Sequence, residues 1–253
     1  MADPSPSPCR LLIHGANGRM GRALLRLCAE RPDCEVIAAV SRSQPAQRVV
    51  DGVAHLAASE LAGAPAFDAL VDFSLPEAFD AALALALERG AAFVSGTTGL
   101  SEAQRAALDA AAGRIPVLWA SNFSLGVALL HALVRRAAEA LPGWDCDIIE
   151  MHHTRKLDAP SGTALTLGAA AGQGGATPHY AAIRAGDIVG EHCVQFAAPG
   201  ERIELIHRAS NRDIFARGAL QAAAWLAGKP PGLYSIADVL DRDAGLDSGV
   251  TPR

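Results

Sequence analysis

The first half of the chain alternates short apolar runs with longer amphipathic segments. Apolar runs that predict strands occupy residues 11–14, 35–40, 68–73, 91–95 and 117–120. Segments with helical spacing occupy residues 18–30, 76–89 and 102–112. Strands that alternate with helices of this length predict an α/β domain, in which a parallel sheet is covered by helices on both faces.

The pattern changes after Phe123. The later elements are predicted as a helix at 125–140, a strand at 146–152, a helix from Ser161, a glycine-rich loop at 172–175, strands at 180–184, 188–196 and 202–208, and helices at 213–227 and 236–240. Three consecutive strands without intervening helices predict an antiparallel or mixed sheet, hence a second, α+β domain that begins near residues 122–124. The pattern alone leaves open which domain the last helices join.

Composition narrows the class of protein. The chain has 253 residues, of which 50% are hydrophobic and 19% are charged, a balance that excludes disorder for most of its length. Its formal net charge is −5 and no basic cluster is visible, so a nucleic-acid partner is not expected. The length suits one large or two small domains.

One stretch, residues 115–134, contains no Asp, Glu, Lys or Arg. Pro116, Asn122, Gly126 and His131 interrupt it, so a buried strand followed by a helix is predicted rather than a membrane span. The first eight residues contain three prolines and no long apolar core, so they are expected to be a disordered tail rather than a secretory signal.

The cysteines indicate a reducing compartment. Five are present, an odd number, and none forms a CxxC pair, so neither a disulfide framework nor a zinc site is predicted. No other pattern of metal ligands is present, and we expect a cytoplasmic protein without a metal.

A glycine-rich turn follows the first predicted strand in the sequence GANGRMG. Gly15 permits a tight turn, Gly18 permits a phosphate to approach the backbone, and Gly21 permits close packing of strand and helix. The helix that begins here offers free N–H groups to a pyrophosphate. Because the turn directly follows the first strand of an alternating β/α domain, it predicts a dinucleotide site; a plain strand–helix turn is the alternative.

The end of the second predicted strand should meet the adenosine ribose of such a cofactor. Arg42 lies there between Ser41 and Ser43, and no acidic residue is present to bind a ribose 2′-hydroxyl. A charge-assisted contact between Arg42 and a 2′-phosphate would contribute roughly 1.5–3 kcal/mol, a preference of about 10–100-fold. We therefore predict NADPH over NADH; an exposed Arg42 without such a role is the alternative.

Two further polar segments follow predicted strands. They are Gly96, Thr97, Thr98 and Gly99 after one strand, and Ala120, Ser121, Asn122 and Phe123 after the next. Since the carboxyl ends of parallel strands meet at one edge of a sheet, both are expected to line the cofactor crevice.

The sequence EMHHTRKLDAPSGTA, residues 150–164, carries the most chemistry. His152 or His153 can supply a proton near neutral pH, and Lys156, one of two lysines in the chain, can donate a proton or hold an anion. Ser161 is a predicted helix N-cap, and Gly162 and Thr163 would expose N–H groups to a carboxylate or phosphate. Ordinary helix-entry chemistry with structural histidines is the alternative.

In order and spacing, GANGRMG, GTTG, ASNFSLGV, EMHHTRKLDAPSGTA, RAGDIVGEH and GLYSIADVL resemble the 4-hydroxy-tetrahydrodipicolinate reductase family over about residues 10–240. The resemblance implies a Rossmann domain formed by residues 1–123 and 209–253, and a substrate-binding and tetramerisation domain with a mixed sheet at 124–208. It also implies a homotetramer that reduces a cyclic imine dicarboxylate with NADPH or NADH and releases water, in lysine and diaminopimelate biosynthesis.

The resemblance also assigns roles to the matching residues. His152 would protonate the substrate, Lys156 would be a second proton donor or an anion anchor, and His153, Ser161, Gly162 and Thr163 would bind the substrate. The cofactor would be held by Gly15, Ala16, Asn17, Gly18, Arg19, Met20, Arg42, Gly96, Thr97, Thr98, Ala120, Ser121, Asn122 and Phe123. Arg212 and Phe215 would approach the nicotinamide.

The sequence departs from the family pattern at three places. Ser41 stands where members that accept NADH have an acidic residue, which strengthens the prediction of NADPH. His14 stands where the family has a small residue before the first glycine, so it is expected to crowd or contact the pyrophosphate. The segment 172–179 is shorter than the family's usual connection before RAGDIVGEH and lacks the Arg and Gly residues that this loop commonly carries. The family's loop closure and details of subunit assembly are therefore not carried over to this chain. The alternatives are a related reductase with another dicarboxylate or semialdehyde substrate, and a non-catalytic dinucleotide sensor.

Overall fold

The structure is a computed structural model that describes residues 7–241. The described residues form two compact units: the first runs to Phe123 and resumes at Phe215, and the second is Ser124–Ile214. The chain therefore rejoins the first unit later than residue 209, the position expected from the sequence. Of the predicted N-terminal tail only Ser7 and Pro8 are described, and both are exposed.

Twelve strands and seven α-helices are present in the described residues. The strands are β1 (Cys9–His14), β2 (Cys34–Ser41), β3 (Val49–Val50), β4 (Val53–Ala57), β5 (Ala69–Asp72), β6 (Ala92–Ser95), β7 (Pro116–Trp119), β8 (Asp145–His152), β9 (Pro178–Arg184), β10 (Gly190–Ala198), β11 (Glu201–Ala209) and β12 (Gly232–Tyr234). The helices are α1 (Arg19–Cys28), α2 (Pro76–Arg89), α3 (Glu102–Ala112), α4 (Leu125–Ala140), α5 (Gly162–Gln173), α6 (Asp213–Leu226) and α7 (Ile236–Asp241). A 3-10 turn, Ala58–Gly63, follows β4.

The first unit contains an eight-stranded sheet in the order β12-β7-β6-β5-β1-β2-β4-β3. Every neighbouring pair is parallel except β3 and β4. Strands β5 and β6 are buried along their whole length, which explains why they read as continuous apolar runs in the sequence. The parallel order brings the carboxyl ends of β1, β2, β5, β6 and β7 to one edge, as the alternating pattern predicted.

Helices pack on this sheet through a continuous apolar core. Phe79 of α2 is fully buried and its ring lies edge-on to that of Phe93 on β6, with centroids 5.7 Å apart. Leu12, Leu70 and Val117 from three further strands join the same cluster. Burial of a side chain of this size contributes about 1.5–3 kcal/mol to stability. This core therefore holds α2 and the central strands in fixed positions relative to one another.

The second unit contains a four-stranded mixed sheet in the order β11-β10-β8-β9. Strand β10 is antiparallel to β11 and β8, whereas β8 and β9 are parallel. Helices α4 and α5 cover one face through buried Leu130, Val134 and Leu167, which pack against Ile148 and Phe196. The residues of the opposite face are half-buried or exposed.

Four short features differ from the sequence predictions. Strands β3, β4 and β12 were not predicted, because they are short and partly exposed and become strands only by pairing with the neighbouring sheet. The 3-10 turn was not predicted either. Helix α5 continues to Gln173, so the loop predicted at 172–175 begins two residues too early. The helix persists because its alanine-rich face is buried against the sheet.

The uncharged stretch 115–134 forms β7 and much of α4, as predicted. Among residues 7–241, no helix is long and apolar enough to cross a membrane.

Candidate active site

The glycine turn after β1 adopts a conformation that larger residues would not permit. Gly15 has φ +83°, and a Cβ atom at this position would lie 2.5 Å from the Phe73 carbonyl oxygen. A Cβ on Gly21 would lie 2.3 Å from the Gly15 carbonyl oxygen. The N-cap of α1, Gly18, makes no side-chain capping hydrogen bond, so the first N–H groups of the helix stay available to an anion. These observations fit the pyrophosphate of a dinucleotide.

A cleft of about 670 Å³ opens beside this turn. The predicted cofactor residues that line it are Gly15, Asn17, Gly18, Arg19, Met20, Arg42, Gly96, Thr97 and Thr98. Ala16 is buried next to the turn and does not line the cleft. The unpredicted lining includes Phe73, Ser74 and the start of α2.

The four residues after β7 do not line this cleft. Phe123 is instead buried, with its ring 5.2 Å from that of Phe73. The predicted contact of Ala120, Ser121 and Asn122 with a cofactor therefore stays a prediction.

A row of buried polar side chains crosses the sheet at the cleft. His14, Asp72 and Ser95 are register partners at the ends of β1, β5 and β6. The Nδ1 atom of His14 lies 2.8 Å from an Asp72 oxygen, and the hydroxyls of Ser95 and Thr97 donate to the other oxygen at 2.9 and 2.7 Å. Burial alone would raise the pKa of Asp72, but the hydrogen bond and charge of His14, together with hydrogen bonds from Ser74 and Thr97, outweigh burial and lower the pKa.

This row explains how the chain accommodates the unusual His14. The side chain is 3% exposed, lines the cleft and is held on the Asp72 carboxylate. Asp72 was not identified from the sequence, because only the parallel register brings it beside residues that are distant along the chain.

Arg42 lies at the mouth of the cleft on the surface. Its guanidinium is 3.1 Å from the carboxylate of Glu77, and both side chains are mostly exposed. Exposed ion pairs of this kind contribute about 0–1 kcal/mol, so a phosphate can compete with Glu77 for Arg42.

In the second unit, the catalytic candidates surround one buried carboxylate. Glu150 on β8 is 0% exposed and accepts four hydrogen bonds. Arg184 donates from both terminal nitrogens at 2.9 and 2.7 Å, the backbone N–H of Ser161 donates at 3.0 Å, and Nδ1 of His152 lies at 2.5 Å. Burial raises the pKa of Glu150, but Arg184, His152 and Ser161 outweigh burial and lower it, so the carboxylate is charged.

His192 on β10 lies beside this group. Its ring is edge-on to that of His152 with centroids 5.2 Å apart, and its Nε2 is 3.3 Å from the Ser161 hydroxyl. Burial, with the charge of His152, lowers the pKa of His192 to about 4. His192 is therefore neutral at physiological pH and adds no positive charge next to His152.

The polar loop after β8 carries the remaining predicted groups. The Lys156 ammonium lies 2.9 Å from a carboxylate oxygen of Asp158, and this contact lowers the pKa of Asp158. Arg212 lies 3.2 Å from Nε2 of His153, and partial burial together with nearby cations lowers the pKa of His153. Both cations thus lie near His153, one of the two histidines that were predicted from the sequence.

Ser161 caps α5 as predicted, because its hydroxyl accepts a hydrogen bond from the Ala164 N–H at 3.2 Å. Gly162 is exposed and Thr163 is half-buried at the first turn. The Ser161 N–H and Nδ1 of His152 both contact Glu150, so α5 begins close to His152. Together with Lys156, the Gly162 N–H lowers the pKa of Asp158, so this helix start already holds a carboxylate of the chain itself.

Sequence reasoning missed the roles of Glu150, Arg184 and His192. Glu150 precedes His152 by two residues on a predicted strand, which places both side chains on one face and could have signalled their contact. Arg184 and His192 come from β9 and β10, and only the strand pairing brings them to Glu150. Between residues 7 and 241, no group of three or more His, Cys, Asp or Glu side chains is arranged to hold a metal ion.

A dinucleotide-type cleft on a parallel sheet, together with a second unit that presents acid–base groups, defines an oxidoreductase that uses a nicotinamide cofactor. The particular family follows from the match to two family models, "Dihydrodipicolinate reductase, N-terminus" over residues 9–123 and "Dihydrodipicolinate reductase, C-terminus" over residues 126–240. The chain belongs to the dihydrodipicolinate reductase family.

Named relatives agree with this membership. The chain is 70% identical over 235 residues to 4-hydroxy-tetrahydrodipicolinate reductase of Stenotrophomonas maltophilia (strain K279a), covering 92% of this chain and 98% of the relative. It is 57% identical to the Xylella fastidiosa (strain M23) reductase of the same name, covering 91% and 98%. The chain thus spans nearly the whole length of both relatives.

Solved structures show the same fold. Dipicolinate-bound dihydrodipicolinate reductase from Paenisporosarcina sp. TG-14 superposes with a TM-score of 0.76 at 22% identity, covering 90% of this chain and 97% of that one. A diaminopimelate dehydrogenase from C. glutamicum gives a TM-score of 0.58 at 14% identity, covering 94% and 99%.

Proposed function

We propose that this protein reduces 4-hydroxy-tetrahydrodipicolinate to tetrahydrodipicolinate with NAD(P)H and loss of water, in lysine and diaminopimelate biosynthesis. The observation that carries the proposal is the cluster around Glu150. It places the His152 imidazole, the Lys156 loop and the start of α5 together, in a family whose relatives bear the name of this reaction. An imidazole, an ammonium group and the N–H groups at the start of a helix suit an anionic imine dicarboxylate.

The cofactor, when bound, supplies the hydride. Gly15, Gly18 and the start of α1 would hold its pyrophosphate, and Arg42 would meet the adenosine ribose. In the second unit, Nε2 of His152 would give a proton to the substrate. Lys156 would donate a second proton or hold a carboxylate, and His153 with the first turn of α5 would bind the dicarboxylate.

The overall proposal is tested by following NADPH oxidation while the preceding synthase generates substrate from pyruvate and aspartate semialdehyde. Loss of NADPH only when the synthase is present supports the proposal. Binding of NADPH without turnover would instead favour the non-catalytic sensor. Turnover with a different dicarboxylate alone would favour a related reductase.

We further propose that NADPH is preferred over NADH, because Arg42 lacks a strong competing partner. We expect Arg42→Ala to lower kcat/KM for NADPH by roughly 10–100-fold and to change that for NADH little. Steady-state rates with both cofactors provide the measurement, and Arg114→Ala, an exposed position outside the cleft, is the matched control. Equal kcat/KM for both cofactors in the unmodified protein would contradict the preference.

We also propose a cytoplasmic homotetramer assembled through the uncovered face of the mixed sheet. Ile183 and Ile206 are 44% and 43% exposed there, in line with Ile149, Met151 and Cys193 of the neighbouring strands. On the same face the Glu191–Arg208 ion pair and the Gln195–Asp147 hydrogen bond flank these apolar side chains. An apolar centre with a polar rim is typical of a subunit interface. Light scattering should give four times the chain mass of 26.1 kDa, and a monomer at micromolar concentration would contradict the proposal.

A further inference from the structure

The hydrogen bonds around Glu150 fix the proton on one nitrogen of His152. A charged carboxylate only accepts hydrogen bonds, so the His152 Nδ1 atom that contacts it at 2.5 Å must carry a proton. In the neutral ring Nε2 is then an unprotonated acceptor, and in the charged ring Nε2 carries the proton that can leave. Without this contact the imidazole would be free to adopt either tautomer.

The carboxylate is itself held in place. Arg184 donates to both of its oxygens, one of which also receives the Ser161 N–H, while the other faces His152. A buried charge that lost the guanidinium would be strongly destabilised, so Arg184 is what permits a fully buried carboxylate beneath His152. The same arginine donates to the Asp158 carbonyl oxygen at 2.5 Å, which ties the loop of Lys156 to this group.

The opposite edge of the ring is kept open. A Cβ atom on Gly190 would lie 3.0 Å from Nε2 of His152, so this glycine of β10 leaves the nitrogen unobstructed. No described residue makes a hydrogen bond or ion pair with Nε2 that would compete for it. The charged and titratable groups around His152 are Glu150 on β8, Arg184 on β9, His192 on β10, and His153, Lys156 and Asp158 on the following loop.

We propose that Glu150 and Arg184 are positioning residues for His152: the guanidinium holds the carboxylate, the carboxylate keeps a proton on Nδ1, and Nε2 is thereby the atom that gives up and regains the proton of the reaction. The inference rests on the proposed role of His152 as the acid, but the tautomer that it predicts exists in the protein without substrate.

The test uses Glu150→Gln in the full chain. Oε1 receives two donors that cannot become acceptors, a terminal nitrogen of Arg184 and the Ser161 N–H, so the new carbonyl oxygen would take this position. The amide NH₂ would then face Nδ1 of His152, which can become an acceptor, and the contact of the other Arg184 nitrogen would be lost. The neutral ring must then carry its proton on Nε2, and the charged ring loses its anionic partner. We expect kcat to fall by roughly 10²–10⁴-fold with an unchanged dissociation constant for NADPH, an effect on the scale of lost general acid catalysis.

Two readouts separate positioning from a merely structural role. Nitrogen-15 NMR of the histidine rings should show Nδ1–H in the unmodified protein and Nε2–H in Glu150→Gln. The loss should fall on kcat rather than on the KM for substrate, because the substitution changes which ring nitrogen carries the proton and leaves the substrate-binding groups in place. Glu139→Gln on α4, where the carboxylate also faces arginines, is the matched control and should change neither readout.

Arg184→Lys is the second variant, should Glu150→Gln fail to fold. It keeps the positive charge but not the paired contacts, and we expect an intermediate loss of kcat with the Nδ1–H tautomer retained in part. An Nε2–H tautomer in the unmodified protein, or an unchanged kcat in folded Glu150→Gln, would overturn the inference. Absence of turnover in the unmodified protein would overturn the proposed reaction instead, while the tautomer measurement still decides the positioning.

Discussion

Replacing His152 with alanine is expected to lower kcat by roughly 10²–10⁴-fold, the usual contribution of a positioned general acid. The imidazole is 8% exposed, is fixed on Glu150 and presents Nε2 beside Gly190, so no other described side chain can take over its proton at the same place. Cofactor binding should be unaffected, since His152 belongs to the second unit and does not line the glycine-turn cleft.

The measurement combines stopped-flow or steady-state NADPH oxidation with calorimetric titration of NADPH. His55→Ala is the matched control, because His55 is a half-buried histidine of β4 that belongs neither to the lining of the glycine-turn cleft nor to the cluster around Glu150. Normal turnover of folded His152→Ala would remove this residue from the proposed role.

Replacing Lys156 with alanine is expected to affect both kcat and the KM for substrate. The ammonium contacts Asp158 in the loop next to His152, where it can hold a substrate carboxylate as well as donate a proton. Loss of a charge-assisted contact of roughly 1.5–3 kcal/mol would raise KM by about 10–100-fold, and loss of a proton donor would lower kcat by a further factor of about 10² or more.

Lys156→Arg separates these two contributions. Arginine keeps the positive charge but cannot release its proton near neutral pH, so a purely anchoring lysine would be replaced with little loss of kcat. We expect KM to recover toward the unmodified value while kcat stays low, because the residue is proposed to serve both purposes. Full recovery of both parameters would restrict Lys156 to anchoring, and Lys229→Ala on the first unit is the control lysine.

Much of the fold follows from local pattern. The bounds predicted for α2, α3 and α4 match the structure, because a proline in the first turn, the Ser101 capping box and the Ser124 cap mark their starts. The elements that were missed, β3, β4 and β12, are short and have no strong apolar period of their own. Their pairing comes from the edges of a sheet that other residues form.

The residues of the candidate site likewise divide into those that the local sequence predicts and those that only tertiary contacts bring together. The glycine turn, Arg42 and the sequence from His152 to Thr163 were recognisable because each function there depends on residues that are close together along the chain. In the sequence, nothing distinguishes Glu150 from other polar residues of a strand. Its role becomes visible only from the hydrogen bonds that Arg184 and Ser161 donate to it in the structure. Asp72 likewise becomes part of the cleft only because β5 lies between β1 and β6.

By itself, then, the sequence determined the alternating α/β domain, the glycine-rich turn after β1, the mixed-sheet second domain and the histidine–lysine segment, since local periodicity and neighbouring residue types encode these features. Only the tertiary structure decided that a fully buried carboxylate underlies His152, and that His14 is held by Asp72. The carboxylate is held by Arg184 of β9 and His14 by Asp72 of β5, and the sequence of one strand does not specify which neighbouring strand will satisfy its buried polar groups.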